Sequence, residues 1–461
     1  MAEPLEKQYT AKKIALRQEQ LIELARGVLA VGGADQIELR IVENDSALTR
    51  FAGSRIHQNT LERDAVVAIT ARLGQREGRA ATNTLSAEGL HAALDQAVAA
   101  ARVSPENPYL ADLPAGPREY PFQVDFFEST AACTPEERAK QVIAGFKVCE
   151  EPAFTASGFL STGAQNVLIA NSRGMEVVFS TTLAKYDVLW TGPDSSGHAG
   201  RTSRETGKLE TAEAAVQALA TARRSANPRT DLPAGRYPVV LGAECSATLL
   251  SFLAGLTFSG KAYVEGGSAF SGRLGSAVCG ANINISDEPL DPRLLAWPCD
   301  LSGLPKQHLG LIENGVARAV AYDTDTAKRA GTASTAHATE VHIPAPGSLV
   351  LRGGGESPET LLREIERGVY VSRFHYTNML DPLATTLTGM TRDGTFLIEN
   401  GQLAGGLTNF RFTQGILPAL AKVSGLASED VFIGTSWGGT GCLVPEAIRV
   451  DEFNFSGKSD H

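Results

Sequence analysis

Three short patterns in this chain have residue types that chemistry would need. Gly434-Thr435-Ser436-Trp437-Gly438 fits G-x-S-x-G, the turn that lifts a nucleophilic serine above a hydrolase sheet. That turn requires a helix after the serine, whereas the residues from Gly438 to Pro445 are rich in glycine and end in proline. A tight glycine turn beside a cleft is the expected structure. His337 and His342 in HATEVH, with Glu340 between them, have donor types that a metal takes. Thr339, Val341 and the Ile343-Pro344-Ala345-Pro346 that follows favour an extended segment, in which residues five apart point to opposite faces. Gly457-Lys458-Ser459 matches the end of a phosphate loop, but Glu452 stands where its first glycine belongs, and no strand-to-helix unit follows.

A fourth group is a polar and aromatic cluster, Phe374, His375, Tyr376 and Asn378 in VYVSRFHYTNMLD, with Arg392 and Asp393 in the nearby MTRDGTF turn. An aromatic face with adaptable polar groups suits recognition of a peptide or protein. A buried strand whose His and Tyr are hydrogen-bonded internally fits the same residues, and both readings stand at this level.

These residues need elements to hold them. Ala11 to Ala30 carries Ile14, Leu16, Leu21, Leu24, Val28 and Leu29 at helical spacing and stops at Gly32-Gly33. From Ile37 the pattern changes to IELRIVEN, SALTRFAG and DAVVAITARLG, short alternating runs that predict an antiparallel meander. Ser86 to Val103 predicts a second helix. The five prolines from Pro105 to Pro121 read as a crossing loop or linker. Thr134 with Glu137 three residues on forms a capping box at a new helix. Further strands and a helix ending near Ala226 follow, and NPRTDLPAGRYPVVL marks the next boundary. VVLGAECSATLLSFLAGLTFSG (Val239 to Gly260) reads as a strand entering a helix. Asn314-Gly315 and Asn400-Gly401, each between apolar runs, predict two hairpins with type I′ turns. The expected class is α+β: an N-terminal antiparallel sheet with helices over 1–104, a central α+β segment over 122–226 and a β-rich C-terminal domain over 236–461.

Together with TRFAGSRIHQNT (Thr49 to Thr60), GMTRDGTFLIENGQL (Gly389 to Leu403) and LVPEAIRVDEFNFSG (Leu443 to Gly457), the Val239 to Gly260 segment resembles the TldD/PmbA family. Catalytic members carry H-E-x-x-x-H on that helix, two zinc-binding imidazoles and a general-base glutamate. Matched without a gap, this chain has Ser251, Phe252 and Leu256 at those three positions. At the position of a further cysteine ligand stands Trp437, with Cys442 five residues on. A single thiolate would not make a zinc site of three protein ligands. The chain therefore resembles the TldE (PmbA) branch.

That resemblance implies a non-catalytic subunit of a two-chain zinc peptidase that handles unfolded or extended peptides. It implies no cofactor in this chain and zinc only in a TldD-like partner. Peptide contacts are expected at His375, Tyr376, Asn378 and Arg392, and at the HATEVH segment, which would border the groove. The alternative is a stand-alone homodimer that binds peptides or a small ligand without hydrolysis.

Bulk properties narrow the rest. With 461 residues, 43% of them hydrophobic and 20% charged, the chain has ample material for packed cores. A net charge of −10 argues against a broad phosphate-binding surface. The N-terminal MAEPLEKQYTAKK has no apolar signal core and no run approaches the roughly 20 apolar residues of a membrane span, so a cytoplasmic location is expected. Six cysteines without a C-x-x-C pair read as thiols in a reducing compartment.

Overall fold

A computed structural model describes residues 11–340, 343–434 and 441–459 of the chain. The class is α+β, as the sequence predicts. The first half is a single six-stranded antiparallel sheet in the order β3-β2-β1-β4-β5-β6. Its strands are β1 (Gln36–Ala52), β2 (Arg55–Leu73), β3 (Arg76–Thr82), β4 (Thr155–Asn171), β5 (Glu176–Thr191) and β6 (Ser196–Ser203). IELRIVEN and SALTRFAG, expected as separate strands, are one 17-residue strand. The turn-forming Asn44, Asp45 and Ser46 stay extended because both edges are occupied, with β2 on one side and β4 on the other. Tertiary pairing here overrides local propensity. The same pairing shows that the proline-rich segment 105–121 does not separate two sheets: β1 and β4 run side by side from Glu38↔Asn171 to Phe51↔Gly158.

Helices cover one face of this sheet. α1 (Ala11–Val31) and α2 (Ala87–Val103) bury Leu21, Ala25, Leu90 and Leu94 against Ile37, Leu39 and Ile41 of β1. After the four-residue α3 (Glu128–Ala131), α4 (Pro135–Phe146) and α5 (Thr211–Arg224) cover Tyr186, Val188 and Trp190 of β5. The capping box is formed: Glu137 N–H donates to Thr134 Oγ1 at 3.2 Å, and Thr134 N–H donates to the Glu137 carboxylate at 2.8 Å. α5 lies so close to β6 that a Cβ on Gly197 would sit 2.0 Å from the Ala218 carbonyl oxygen. Residues of opposite parity, Val167, Ile169, Val177 and Phe179, form the other face and pack on Trp297, Cys299 and Leu301.

The second half contains two sheets. The first closes on itself: β7 (Gly235–Gly242) pairs in parallel with β12 (Arg367–Asp381), β12 with β13 (Thr386–Glu399), β13 with β15 (Phe410–Gly415), β15 with β19 (Ala447–Lys458), and β19 with β7. β14 (Gln402–Gly406) and β16 (Val423–Leu426) attach outside this ring. Phe374, Phe412, Phe453, Phe455 and Phe410 fill it, with successive ring centroids 4.4 to 5.6 Å apart. Offset and tilted rings at such distances pack favourably. Asn400-Gly401 closes the β13–β14 hairpin with both residues at positive φ, as does Asn314-Gly315 in the other sheet.

That other sheet has the order β10-β9-β8-β11-β18-β17. It is built from β8 (Ile285–Asp287), β9 (Leu309–Glu313), β10 (Val316–Ala317), β11 (Leu349–Leu351), β17 (Asp430–Ile433) and β18 (Cys442–Pro445). Apolar residues of both sheets share one core with Cys245, Leu249 and Leu250 of α6 (Ala243–Phe252). Among the described residues no helix is long and apolar enough to cross a membrane.

Candidate functional site

α6 is the helix on which the resemblance places zinc chemistry. β7 delivers it from the fully buried Val239, Val240 and Leu241. Beyond Phe252 the helix widens into a π-helical turn, Leu253–Thr257, in which Phe258 N–H donates to Leu253 O at 2.8 Å. Such turns are rare and recur at functional sites. The Ser251 hydroxyl is used within the helix, donating to Ala247 O at 2.9 Å. Phe252 and Ala254 pack against the shared core, and Leu256 is half-buried. A phenyl ring and an isobutyl group offer no lone pair, so these residues do not fit a zinc ion. Cys442, at the start of β18, is buried, and that burial pushes its thiol up to about 12. A metal ligand must be the thiolate. Trp437 and Ser436 lie outside the described residues.

The predicted peptide-contact residues meet on the β12–β13 hairpin, where Arg373 pairs with Arg392, His375 with Met390 and Asn378 with Thr388. The cluster divides by side. Phe374 points into the ring of phenylalanines, whereas Tyr376 sits in a bulge at φ 51° and is 77% exposed. The Asn378 amide donates to Tyr376 O at 3.1 Å and so braces that bulge. Burial and the positive charges of Arg392 and Arg373 lower the pKa of His375, which favours its neutral form. Further along the hairpin Leu380 and Leu383 are 58% and 57% exposed. β7 leaves β12 at Leu241↔Val371, and from there to Asp381 the outer edge of β12 pairs with no strand among the described residues.

A charged cluster that the sequence did not reveal lies between the two halves. His198 of β6 directs Nε2 at Asp187 Oδ2 (2.8 Å) and Nδ1 at Glu244 Oε1 (3.0 Å), the latter from the first turn of α6. Arg373 reaches Glu244 Oε2 at 3.7 Å and Asp393 Oδ2 at 3.3 Å, and Ser196 donates to Asp393 Oδ1 at 2.5 Å. Burial opposes the charge on His198, but the hydrogen bonds and charges of both carboxylates prevail and raise its pKa to about 9. An imidazolium with both N–H groups committed cannot serve as a base. The cluster acts as an electrostatic clamp. Its members come from five elements, and the only local hint is Glu244 two residues after the glycine that ends β7.

The HATEVH expectation is corrected at His337. His337 is 0% exposed, its Nε2 3.2 Å from Asp287 Oδ2 and its Nδ1 2.9 Å from Thr335 Oγ1, so it braces the interior and lines no groove. His342 lies outside the described residues. Lys458 belongs to β19 and donates to Thr230 O, an arrangement unlike a phosphate loop. Among the described residues no three His, Cys, Asp or Glu side chains are grouped to hold a metal.

Comparison with known proteins gives the family and the fold. Residues 234–457 match the PmbA/TldA metallopeptidase C-terminal domain, and residues 37–101 match PmbA/TldA metallopeptidase domain 1. The chain belongs to the TldD/PmbA family. It is 22% identical over 390 residues to the metalloprotease PmbA of Escherichia coli O157:H7, covering 81% of this chain and 83% of that one. It is 26% identical over 239 residues to the metalloprotease TldD homolog of Haemophilus influenzae, covering 49% of each. The chain spans about half the length of several curated relatives that it matches. The crystal structure of TldE from Thermococcus kodakarensis superposes with a TM-score of 0.83 at 20% identity, covering 95% of this chain and 100% of that one. At that identity the likeness establishes the fold.

Proposed function

We propose that this chain is the non-catalytic subunit of a TldD/TldE-type zinc metallopeptidase complex and that it binds unfolded or extended peptides. The observation that carries this reading is the pairing of two features. The helix positions that hold zinc in catalytic members carry Ser251, Phe252 and Leu256, and the outer edge of β12 is open beside Tyr376. An open edge offers backbone N–H and C=O groups to an added strand, and every peptide has the same groups to return. Tyr376, Leu380 and Leu383 give apolar contact along that edge, with Asn378 and Arg392 supplying polar contacts. Zinc, bound by a partner with H-E-x-x-x-H, would supply the activated water.

The test is reconstitution with a zinc-bearing TldD-type relative and an unfolded peptide. Cleavage requires both chains, and Ser251→Ala leaves the rate unchanged. Cleavage by this chain alone in the presence of chelator would contradict the proposal. A stable homodimer that binds peptide but never pairs with a zinc-bearing chain would favour the stand-alone alternative.

A further inference from the structure

Arg138 of α4, 2% exposed on the side facing the first sheet, is the one arginine among the largest fully buried side chains of the described residues. Its Nε donates to Thr49 Oγ1 at 3.1 Å, and its Nη1 donates to Cys133 O at 2.6 Å and Thr162 Oγ1 at 3.5 Å. Its Nη2 makes no hydrogen bond, and no carboxylate lies within 4 Å of the guanidinium among the described residues. A buried charge without a counter-ion is costly. The two nearby thiol and carboxylate candidates do not supply one. Burial raises the pKa of the Cys133 thiol and keeps it neutral, and Asp45 is paired with Arg63 at 3.4 Å. Glu136 and Glu137 act only from a distance.

A cavity of about 40 Å³ adjoins the guanidinium, lined by Arg138, Cys133, Thr162, Gly163, Ala131 and Asp45 among others. That exceeds the roughly 10–15 Å³ that a cavity needs to hold one water, so a monatomic ion fits beside the guanidinium. The Thr162 hydroxyl accepts from Arg138, which leaves its own O–H free to donate. We propose that this cavity is a binding site for one small monovalent inorganic anion, chloride in size, held by Arg138 Nη2 and the Thr162 hydroxyl between the first sheet and α4. The ion compensates the buried guanidinium and fastens α4 to β1 and β4. The site is independent of the peptide-binding reading.

Thermal unfolding of the full chain in sodium chloride or bromide, against sodium gluconate at equal ionic strength, tests it together with anomalous diffraction from bromide-soaked crystals. The expected result is a saturable rise in Tm of roughly 2 °C with halide alone, and a bromide peak within hydrogen-bond distance of Arg138 Nη2. Thr162→Val keeps the arginine and weakens the half-saturating concentration about five-fold, the value of one hydrogen bond. Arg138→Met abolishes the halide effect. Superimposable halide and gluconate curves, or water alone beside Nη2, would overturn the proposal. A bromide peak without stabilisation would show an adventitious ion only and overturn it equally.

Discussion

His198 on β6 and Glu244 at the start of α6 meet at 3.0 Å and tie the first sheet to the C-terminal half. The second imidazole nitrogen faces Asp187, so folding holds the ring as a cation at a pH where a free histidine is neutral.

The clamp therefore makes stability depend on pH. The folded pKa of about 9 lies above the ordinary 6.5, so the stabilisation is complete below pH 6.5 and is lost as pH rises through 9. The full effect is on the order of 3 kcal/mol. Denaturant unfolding of the wild type and His198→Gln from pH 6 to 10 should show a gap that closes with rising pH. A gap independent of pH would refute the clamp.

Phe374 and Tyr376 are two residues apart on β12 but differ in what surrounds them. Phe374→Ala removes a ring 4.4 Å from Phe412 and should cost about 3–5 kcal/mol. Tyr376→Ala, at an exposed bulge, should change stability by less than about 0.5 kcal/mol. Equal losses in denaturant titrations would contradict the placement of the two rings.

Peptide capture should track the outer edge of β12. Combining Tyr376→Ala with Leu380→Ala is expected to weaken binding of an unfolded fluorescent peptide about ten-fold, since hot-spot truncations each cost upward of about 1 kcal/mol. Anisotropy titrations that show unchanged affinity would place the peptide elsewhere.

Close packing of α5 on β6 predicts that Gly197→Ala destabilises the chain by about 3 kcal/mol, because the new methyl group meets the Ala218 carbonyl and the Ala222 amide. Thr134→Ala, which only removes the cap of α4, should cost about 1 kcal/mol. Thermal unfolding of the two variants should rank them in that order.

What the sequence disclosed and what it withheld follow a physical divide. The cap at Thr134, the Asn-Gly turns and the entry of β7 into α6 were legible because each is set by residues within a few positions. The unbroken β1 was not, since the turn signal at Asn44-Asp45-Ser46 yields only to strands that pair from far along the chain. The closed ring and the His198 clamp depend on contacts between elements that are in places more than two hundred residues apart, which no local pattern encodes. His337 resembled a surface ligand because its buried partner, Asp287, lies 50 residues away.

Metal content measured by mass spectrometry on the purified chain, after expression with zinc and without any relative, tests the central claim most directly. Ser251, Phe252 and Leu256 predict zinc far below one equivalent per chain, with stoichiometric zinc appearing only when an H-E-x-x-x-H partner is co-purified. One zinc bound per isolated chain would contradict the account.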